Sequence, residues 1–301
     1  KTGIIIEKQG FGCLPIQRIS QQDAVYLLHK AYDGGINFFD TARAYSDSEQ
    51  KVGAAFSDMR DHVVLSTKTV AKTAEEFWKD LETSLRTLKT DYIDIYQFHN
   101  PSFCTQPGGE YGLYDAALKA KEQGKIRHIS ITNHRLTVAH QAIDSGLYET
   151  LQFPFSYLAG EQDMEIVQKC REKNMGCIAM KGMAGGLIQD GITAAAWMDT
   201  QEGVVPIWGV QRESELDQFL KCIREGAELT KERLETIEKD RKELCGEFCR
   251  GCGYCMPCPA GIEINQCARM SLMLRRAPAA AWLTESWQQK MHQIENCLHC
   301  G

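Results

Sequence analysis

The stretch Ile36–Glu49, INFFDTARAYSDSE, decides how the rest of the chain is interpreted. Its first four residues are apolar or rich in β-formers, and they follow the turn pair Gly34-Gly35, which predicts a short buried strand. That strand would end at the carboxylate of Asp40. Tyr45 follows in a loop that leads to a helix. The sequence therefore predicts a carboxylate and a phenol at the end of one strand.

Two later strand patterns also end in titratable residues. His62–Lys68, HVVLSTK, finishes on a lysine, and Tyr92–His99, YIDIYQFH, finishes on a histidine. Parallel barrels build their sites from side chains at the carboxyl ends of successive strands. We therefore expect four side chains to converge at one mouth: Asp40, Tyr45, Lys68 and His99.

Strand and helix patterns alternate between residues 9 and 222. Eight strand–helix units can be counted there, which predicts a closed (β/α)8 TIM barrel rather than an open sheet. The segment before the first strand is expected to form a hairpin that closes the barrel floor. We place the barrel at residues 1–227.

Two further segments follow the predicted barrel. Residues 228–244 are charge-dense and predict an amphipathic connector helix leaving the barrel, with one face carrying Leu234, Ile237, Arg241 and Leu244. From residue 245 the composition changes to Cys, Gly and Pro. Residues 245–301 are therefore predicted to form a small helical domain.

Composition argues against two kinds of partner. The formal net charge is −6 and no basic run exceeds Arg275-Arg276, so nucleic acid is not expected as a partner. No apolar run approaches the roughly 18 residues that a membrane span needs, and the N-terminus lacks the layout of a secretory signal. We expect a soluble, cytoplasmic protein with no membrane partner. The missing initiator methionine and abrupt end predict a trimmed version of a longer sequence.

The chain has thirteen cysteines, and their spacing indicates metal binding. CxxC spacing in a chain without a secretory signal favours metal ligation in a reducing compartment over disulfides. Zinc more often takes two CxxC pairs separated by a longer loop, so an iron–sulfur cluster is favoured and zinc is the alternative. The candidate ligands are Cys249, Cys252, Cys255, Cys258, Cys297 and Cys300, with Cys245 and Cys267 in reserve. The others are expected to be small buried residues: Cys13, Cys104, Cys170, Cys177 and Cys222.

As a set, the strand-end motifs resemble those of the aldo-keto reductases. DTARAYSDSE, LSTK, DYIDIYQFHNP, HISITNH and TLQFPF follow in the family's order at similar spacing, from roughly Thr2 to Ile223. The run CRGCGYCMPCP after them is similar to a bacterial ferredoxin motif with one residue missing before the last cysteine. The chain thus resembles the aldo-keto reductase subgroup that has a C-terminal ferredoxin-like 4Fe-4S domain.

The number of clusters stays open at one or two. In two-cluster ferredoxins the fourth cysteine of each run serves the other cluster. By this resemblance, Cys258 could pair with Cys297 and Cys300 rather than with its neighbours.

The resemblance implies an NAD(P)-dependent oxidoreductase that reduces a small carbonyl or oxidises an alcohol. Tyr45 would be the general acid, and Lys68 the cation that lowers the pKa of its phenol. Asp40 would anchor the ammonium, and His99 would orient the substrate oxygen.

The resemblance also implies where a dinucleotide would bind. No G-x-G-x-x-G follows a strand, so the Rossmann route is not expected. Positions that hold the nicotinamide amide in the family are matched by Thr132, Asn133 and Gln152. The loop GMAGG, Gly182–Gly186, matches the segment that wraps the pyrophosphate, with Gly182 and Gly185 as its contacts.

Two positions depart from the family pattern. Met180, followed by Lys181, stands where an aromatic residue commonly stacks on the nicotinamide. Gly209 and Glu215 stand where many relatives carry basic residues for a 2′-phosphate, which leaves Arg212 as the nearby cation. The choice between NADP and NAD therefore stays open.

An iron–sulfur cluster is not required by carbonyl reduction, because hydride transfer moves an electron pair whereas a cubane moves single electrons. The cluster could be structural, dock a redox partner protein, or feed electrons to a flavin or substrate. The alternative function is therefore an electron-transfer or partner-docking iron–sulfur protein in which the barrel is a scaffold with little carbonyl reductase activity.

Overall fold

Eight parallel strands close into a barrel, which confirms the predicted architecture. The computed structural model describes residues 2–244, 249, 255–276 and 279–300. Each strand pairs with the next, and the first pairs with the eighth, so the sheet closes on itself. The strands are β1 (Gly10–Gly12), β2 (Phe38–Asp40), β3 (Val64–Thr69), β4 (Ile93–His99), β5 (Ile126–Thr132), β6 (Thr150–Pro154), β7 (Gly176–Met180) and β8 (Val204–Gly209).

A helix follows every strand, as the alternation predicts. These eight helices are α1 (Gln21–Asp33), α2 (Ser48–Phe56), α3 (Ala74–Leu88), α4 (Leu113–Glu122), α5 (Leu136–Ser145), α6 (Glu161–Glu172), α7 (Gly191–Asp199) and α8 (Glu213–Glu225). After the barrel, the described residues form four more helices: α9 (Lys231–Leu244), α10 (Ile264–Cys267), α11 (Met270–Arg276) and α12 (Glu285–His292). Short 3₁₀ helices cover Pro15–Arg18, Ser57–His62, Ala279–Ala281 and Gln293–Asn296. Within the described ranges, no helix is both long and apolar enough to cross a membrane.

Local sequence explains where the helices begin. The Ser20 hydroxyl accepts a hydrogen bond from the Asp23 amide at the start of α1, and Thr73 caps α3 in the same way. Such caps satisfy amides that have no partner within the helix. In α1, apolar residues at helical spacing then form one buried face, made by Ala24, Leu27, Leu28 and Ala31.

The predicted N-terminal hairpin is wrong. Residues 2–9 contain no strand. Instead, Ile4 and Ile6 pack against a cluster in the barrel formed by Phe38, Ile95, Ile178 and Ile207, and the Glu7 amide donates to Asn37 Oδ1 at 2.9 Å. Ile4 and Ile6 are partly buried without a second strand, because the barrel itself supplies the apolar surface.

The connector helix lies against the barrel rather than leaving it. Ile237, Asp240 and Leu244 are its buried residues, whereas Leu234 is exposed. The predicted face is therefore only partly correct, because Asp240 belongs to it and Leu234 does not. Asp240 accepts a hydrogen bond from the Tyr157 hydroxyl, and this pairing removes the cost of burying the carboxylate alone.

The segment after the connector also packs on the barrel. Leu272 and Met273 of α11 belong to the same hydrophobic cluster as the barrel's outer residues. The domain boundaries at residues 227 and 244 stay predictions, but the described parts on either side of them share apolar contacts.

Gly53 offers a test of how closely the barrel helices pack. A Cβ atom at this position would lie 2.3 Å from the Thr87 carbonyl oxygen and 2.8 Å from Leu88 Cα. We expect Gly53→Ala to lower the free energy of unfolding by about 1–3 kcal/mol, since backbone atoms must shift. Urea unfolding measures this loss. The control is Gln50→Ala, at an exposed position of the same helix, and equal stability of both variants would contradict close packing here.

Candidate active site at the barrel mouth

The predicted catalytic residues lie at the carboxyl ends of neighbouring strands. Asp40 is the last residue of β2, Lys68 is the penultimate residue of β3, and His99 is the last residue of β4. Tyr45 lies in the loop between β2 and α2. The structure brings these four side chains together at one mouth.

A buried ion pair joins the first two strand ends. Lys68 Nζ lies 2.6 Å from Asp40 Oδ2, and the side chains are 0% and 2% exposed. The ammonium also donates to the Thr41 carbonyl oxygen at 2.5 Å. Burial lowers the pKa of Lys68, whereas the charge of Asp40 and the hydrogen bond to it raise this pKa, which lies above its ordinary value. Lys68 therefore stays a cation.

Two glutamines complete the environment of the carboxylate. Gln97 Nε2 donates to Asp40 Oδ1 at 3.0 Å, and Gln152 Nε2 lies 3.4 Å from Asp40 Oδ2. The two amides also bond each other, from Gln97 Nε2 to Gln152 Oε1 at 2.7 Å. Sequence reasoning missed Gln97, although its position two residues before His99 places both on one face of the strand.

Tyr45 lies beside both the cation and the histidine. Lys68 Nζ is 5.2 Å from the centre of the Tyr45 ring. That ring meets the His99 ring edge to face, with 5.7 Å between the ring centres. Burial raises the pKa of Tyr45 more than the charge of Lys68 lowers it, so the pKa lies above its ordinary value. Lys68 thus acts on this pKa in the predicted direction, but burial outweighs its effect, so the pKa is not lowered overall.

His99 is a neutral imidazole in this setting. Burial, the charge of Lys68 and the nearby His134 lower the pKa of His99 from 6.5 to about 3. Its Nδ1 atom is buried and makes no hydrogen bond to the residues that the structure describes. A neutral ring can donate from one nitrogen, so His99 can bind a substrate oxygen without adding a charge.

His134 is a second buried histidine that sequence reasoning did not single out. Burial and the charges of Lys181 and Arg135 lower its pKa from 6.5 to about 3. Within the described ranges its Nδ1 atom also makes no hydrogen bond. The signal was its place directly after the predicted cofactor residues Thr132 and Asn133.

Thr132 and Gln152, two predicted nicotinamide contacts, both lie against the sulfur atom of a third, Met180. Thr132 Oγ1 lies 3.8 Å from Met180 Sδ, and Gln152 Nε2 lies 3.7 Å from the same atom. Thr132 also pairs with His99 in the strand register. The hydroxyl, the amide and the thioether therefore border the predicted catalytic residues.

Two other predicted cofactor residues have protein partners. The side-chain Nδ2 of Asn133 donates to the Pro101 carbonyl oxygen at 2.8 Å, and its Oδ1 accepts from the backbone amide of Arg135. Arg212 is exposed and pairs with Glu215, with 2.6 Å between Nη2 and Oε1. Asn133 thus fixes a loop, and the carboxylate partly neutralises Arg212.

The glycine-rich loop after β7 packs closely against its surroundings. A Cβ atom at Gly182 would lie 2.5 Å from Cζ3 of Trp208, so only glycine fits there. Gly185 adopts φ +70°, and Lys181 is also left-handed at φ +58°. The predicted loop residues Lys181, Gly182 and Gly185 therefore occupy a tightly specified turn at the mouth.

The structure describes five of the six predicted cluster ligands. Cys249, Cys258 and the exposed Cys255 are described, as are the exposed Cys297 and Cys300; Cys252 lies outside the described residues. Among the described side chains, no three metal-binding residues come close enough to hold an ion. Of the remaining cysteines, Cys104 is half-buried. The other four are buried as predicted: Cys13, Cys170, Cys177 and Cys222.

Two sequence profiles match the chain. Residues 9–196 match the Aldo/keto reductase family, and residues 248–301 match the 4Fe-4S dicluster domain. The first match covers more than half of the chain, so this protein belongs to the aldo-keto reductase family of oxidoreductases and carries a C-terminal 4Fe-4S domain. The resemblance seen in the strand-end motifs and the cysteine run is confirmed.

Curated relatives agree with this family. The chain is 28% identical over 208 residues to L-galactose dehydrogenase of Arabidopsis thaliana, covering 63% of this chain and 65% of that protein. It is also 28% identical over 219 residues to aldo-keto reductase YhdN of Bacillus subtilis, covering 64% of this chain and 63% of that protein. The chain thus spans slightly under two thirds of the length of these relatives.

Solved structures share the barrel. An aldo-keto reductase from Bacillus halodurans in its holo form superposes with a TM-score of 0.69 at 20% identity, covering 82% of this chain and 96% of that one. An aldo-keto reductase from Klebsiella pneumoniae in complex with NADPH gives 0.66 at 23% identity, covering 78% and 90%. At this identity the likeness shows the fold.

The residues present fit both groups that the family and the domain imply. At the mouth, a hydroxyl and an amide border the thioether of Met180 beside His99, whose Nδ1 atom has no hydrogen-bond partner among the described residues. These groups suit a nicotinamide and a carbonyl oxygen. In the C-terminal segment, thiolates at CxxC spacing are the donors that iron–sulfur clusters take.

The Lys68–Asp40 pair should stabilise the fold as well as the site. Lys68→Met leaves the buried Asp40 without its cation, and we expect a loss of about 3–5 kcal/mol in unfolding free energy. Adding Asp40→Asn should restore part of that loss, because no uncompensated charge remains. Urea unfolding of the two variants measures both effects. A Lys68→Met variant as stable as the wild type would contradict the pairing.

His99 should make the fold sensitive to acid. Since its pKa falls from 6.5 to about 3 on folding, the unfolded chain binds the proton first, and stability is lost as pH decreases from 6.5 toward 3. We expect the urea midpoint of His99→Gln to fall less steeply over this window than that of the wild type. His62→Gln, at an exposed position, is the control. Parallel pH profiles for His99→Gln and the wild type would contradict the assignment.

Proposed function

We propose that this protein is an NAD(P)-dependent oxidoreductase that reduces a small carbonyl compound, or oxidises the corresponding alcohol, with Tyr45 as the general acid. The observation that carries the proposal is the buried Lys68–Asp40 pair, whose ammonium lies 5.2 Å from the centre of the Tyr45 ring. An acid beside a fixed cation is what protonation of a developing alkoxide requires.

The protonation states fit this division of roles. A tyrosine phenol carries its proton at neutral pH, and burial raises the pKa of Tyr45 further, so Tyr45 has a proton to donate to the substrate oxygen. Once that proton leaves, the charge of Lys68 stabilises the phenolate. His99 stays neutral and donates a hydrogen bond that orients the same oxygen. Asp40 holds the ammonium in place and does not take part in the proton transfer.

The proposed dinucleotide site extends from the mouth along the strand ends. A bound NADPH or NADH would supply the hydride for the carbonyl carbon. Thr132, Asn133 and Gln152 would hold the nicotinamide amide beside Met180. The turn containing Lys181, Gly182 and Gly185 would lie against the pyrophosphate.

Coenzyme choice depends on Arg212 in this proposal. Its guanidinium is already paired with Glu215, so a 2′-phosphate would have to compete with a carboxylate. The Klebsiella pneumoniae relative that shares the fold is in complex with NADPH, which supports a nicotinamide dinucleotide here without fixing NADPH over NADH.

We place the iron–sulfur domain at residues 245–301, after a barrel at 1–227 and a connector at 228–244. Cys249, Cys252 and Cys255 would supply thiolates to a 4Fe-4S cluster. Cys258 would either complete that cluster or join Cys297 and Cys300 at a second one, and the match to a dicluster domain supports two clusters.

A second function is an electron-transfer or partner-docking protein in which the barrel is a scaffold. The match of residues 248–301 to the 4Fe-4S dicluster domain favours it, because carbonyl reduction does not need such a cluster. Protein that exchanges electrons with ferredoxin or a flavoprotein but ignores nicotinamide would favour this function.

The proposed acid can be tested with Tyr45→Phe. We expect its kcat for aldehyde reduction by NADPH or NADH to fall at least about 100-fold, the usual range for losing a positioned acid. Coenzyme affinity, measured by tryptophan fluorescence, should stay within about twofold, since the ring remains and only the hydroxyl is lost.

The matched control is Tyr26→Phe, because Tyr26 is a 54% exposed tyrosine on α1 whose hydroxyl bonds Glu213 of α8. It should behave as the wild type. Unchanged turnover in Tyr45→Phe would remove Tyr45 from its role, and the absence of any reductase activity in anaerobically purified wild type would favour the electron-transfer function.

A further inference from the structure

The loop after β7 has an unusual backbone. Lys181, Ala184, Gly185 and Gly186 all adopt positive φ, at 58°, 48°, 70° and 93°. Two of them are not glycine, and a left-handed conformation is costly for a residue with a Cβ atom. Such strain persists only where the surroundings hold it in place.

An arginine from the cysteine-rich segment, residues 245–301, contacts this loop. Arg269 Nη2 donates to the Ala184 carbonyl oxygen at 3.1 Å. A Cβ atom at Gly185 would lie 3.0 Å from the same nitrogen, so the guanidinium lies directly over Gly185. A contact 85 residues apart in sequence therefore holds the strained part of the loop.

Arg269 is itself held firmly in the cysteine-rich segment. It lies between α10 and α11, where its amide donates to the Gln266 carbonyl oxygen and its own carbonyl oxygen accepts from the amides of Leu272 and Met273. Met273 belongs to the barrel's hydrophobic cluster. The backbone of Arg269 is thus fixed by helices of the segment and by apolar contact.

Arg269 also stands close to a candidate cluster ligand in the sequence. Cys267, a reserve ligand, is the last residue of α10 and only two residues away. The part of the chain that a cluster would order therefore carries the arginine that reaches the loop after β7.

We propose that Arg269 is a positioning residue that couples the iron–sulfur segment to the loop 181–186, and through that loop to dinucleotide binding. The nucleotide part rests on the proposed function, whereas the effect on the loop does not. A segment ordered by its cluster holds the arginine over Gly185, and the arginine holds the loop in the conformation that the pyrophosphate meets. Because such coupling is reciprocal, bound nucleotide should also slow loss of the cluster.

The test compares protein with its clusters intact and after chelation under anaerobic conditions. Hydrogen exchange of the amides of residues 181–186 reports the loop directly, and the Kd for NADPH reports the nucleotide site. In the wild type we expect chelation to speed exchange and to weaken NADPH about fivefold or more, the range typical of coupled sites.

Two substitutions at the arginine sharpen the comparison. With Arg269→Met, the loop should exchange rapidly and bind NADPH weakly even when iron and sulfide contents match the wild type, and chelation should change neither readout. Arg269→Lys keeps the charge but loses the planar guanidinium, and should show partial coupling; it also serves if Arg269→Met does not fold. The control is Arg275→Met, because Arg275 pairs with Glu243 instead, and it should behave as the wild type.

The outcomes separate the two proposals. Loop exchange that responds to chelation equally in Arg269→Met and the wild type would overturn the coupling. Wild-type loop exchange that ignores chelation would overturn it as well. A cluster-loaded wild type that binds neither NADPH nor NADH would overturn the proposed function, while the exchange data would still decide the role of Arg269.

Discussion

A lysine ammonium in the interior of a barrel is costly unless charge and hydrogen bonds surround it. Lys68 meets this requirement through Asp40 and the Thr41 carbonyl oxygen. The carboxylate in turn depends on the amides of Gln97 and Gln152. The upper layer of the barrel interior must therefore be polar, while the layer around Phe38 is apolar and is covered by the N-terminal segment. The buried ion pair thus determines that the barrel interior has a polar layer at the mouth and an apolar layer around Phe38.

The same cation influences the protonation of the neighbouring groups. Its charge opposes, but does not cancel, the rise that burial causes in the pKa of Tyr45. It also adds to the burial that keeps His99 neutral. The mouth therefore holds a protonated phenol, a neutral imidazole and a permanent cation, a combination that can donate a proton and then stabilise the charge left behind. The chemistry of the site follows from one buried charge and the side chains that face it.

The cysteine-rich segment is in contact with the barrel in the described part of the chain. The connector buries Ile237 and Asp240 against it, α11 adds Met273 to the shared core, and Arg269 reaches the loop after β7. Composition alone divides the chain into a barrel and a cysteine domain. Packing joins them, which gives the iron–sulfur segment a physical route to the barrel mouth even though carbonyl reduction does not need its electrons.

Sequence alone determined the parts that depend on local pattern. Apolar strands ending in Asp40, Lys68 and His99 could be read because parallel strands bring their carboxyl ends to one face, and the CxxC spacing indicated thiolate ligation. Features that depend on contacts between distant segments could not be predicted from the sequence. The rise in the pKa of Tyr45, the buried face of α9, the amides around Asp40 and the contact of Arg269 with Ala184 arise only when segments far apart in the chain pack together. Burial and long-range charge are properties of the folded chain, and only the tertiary structure decided them.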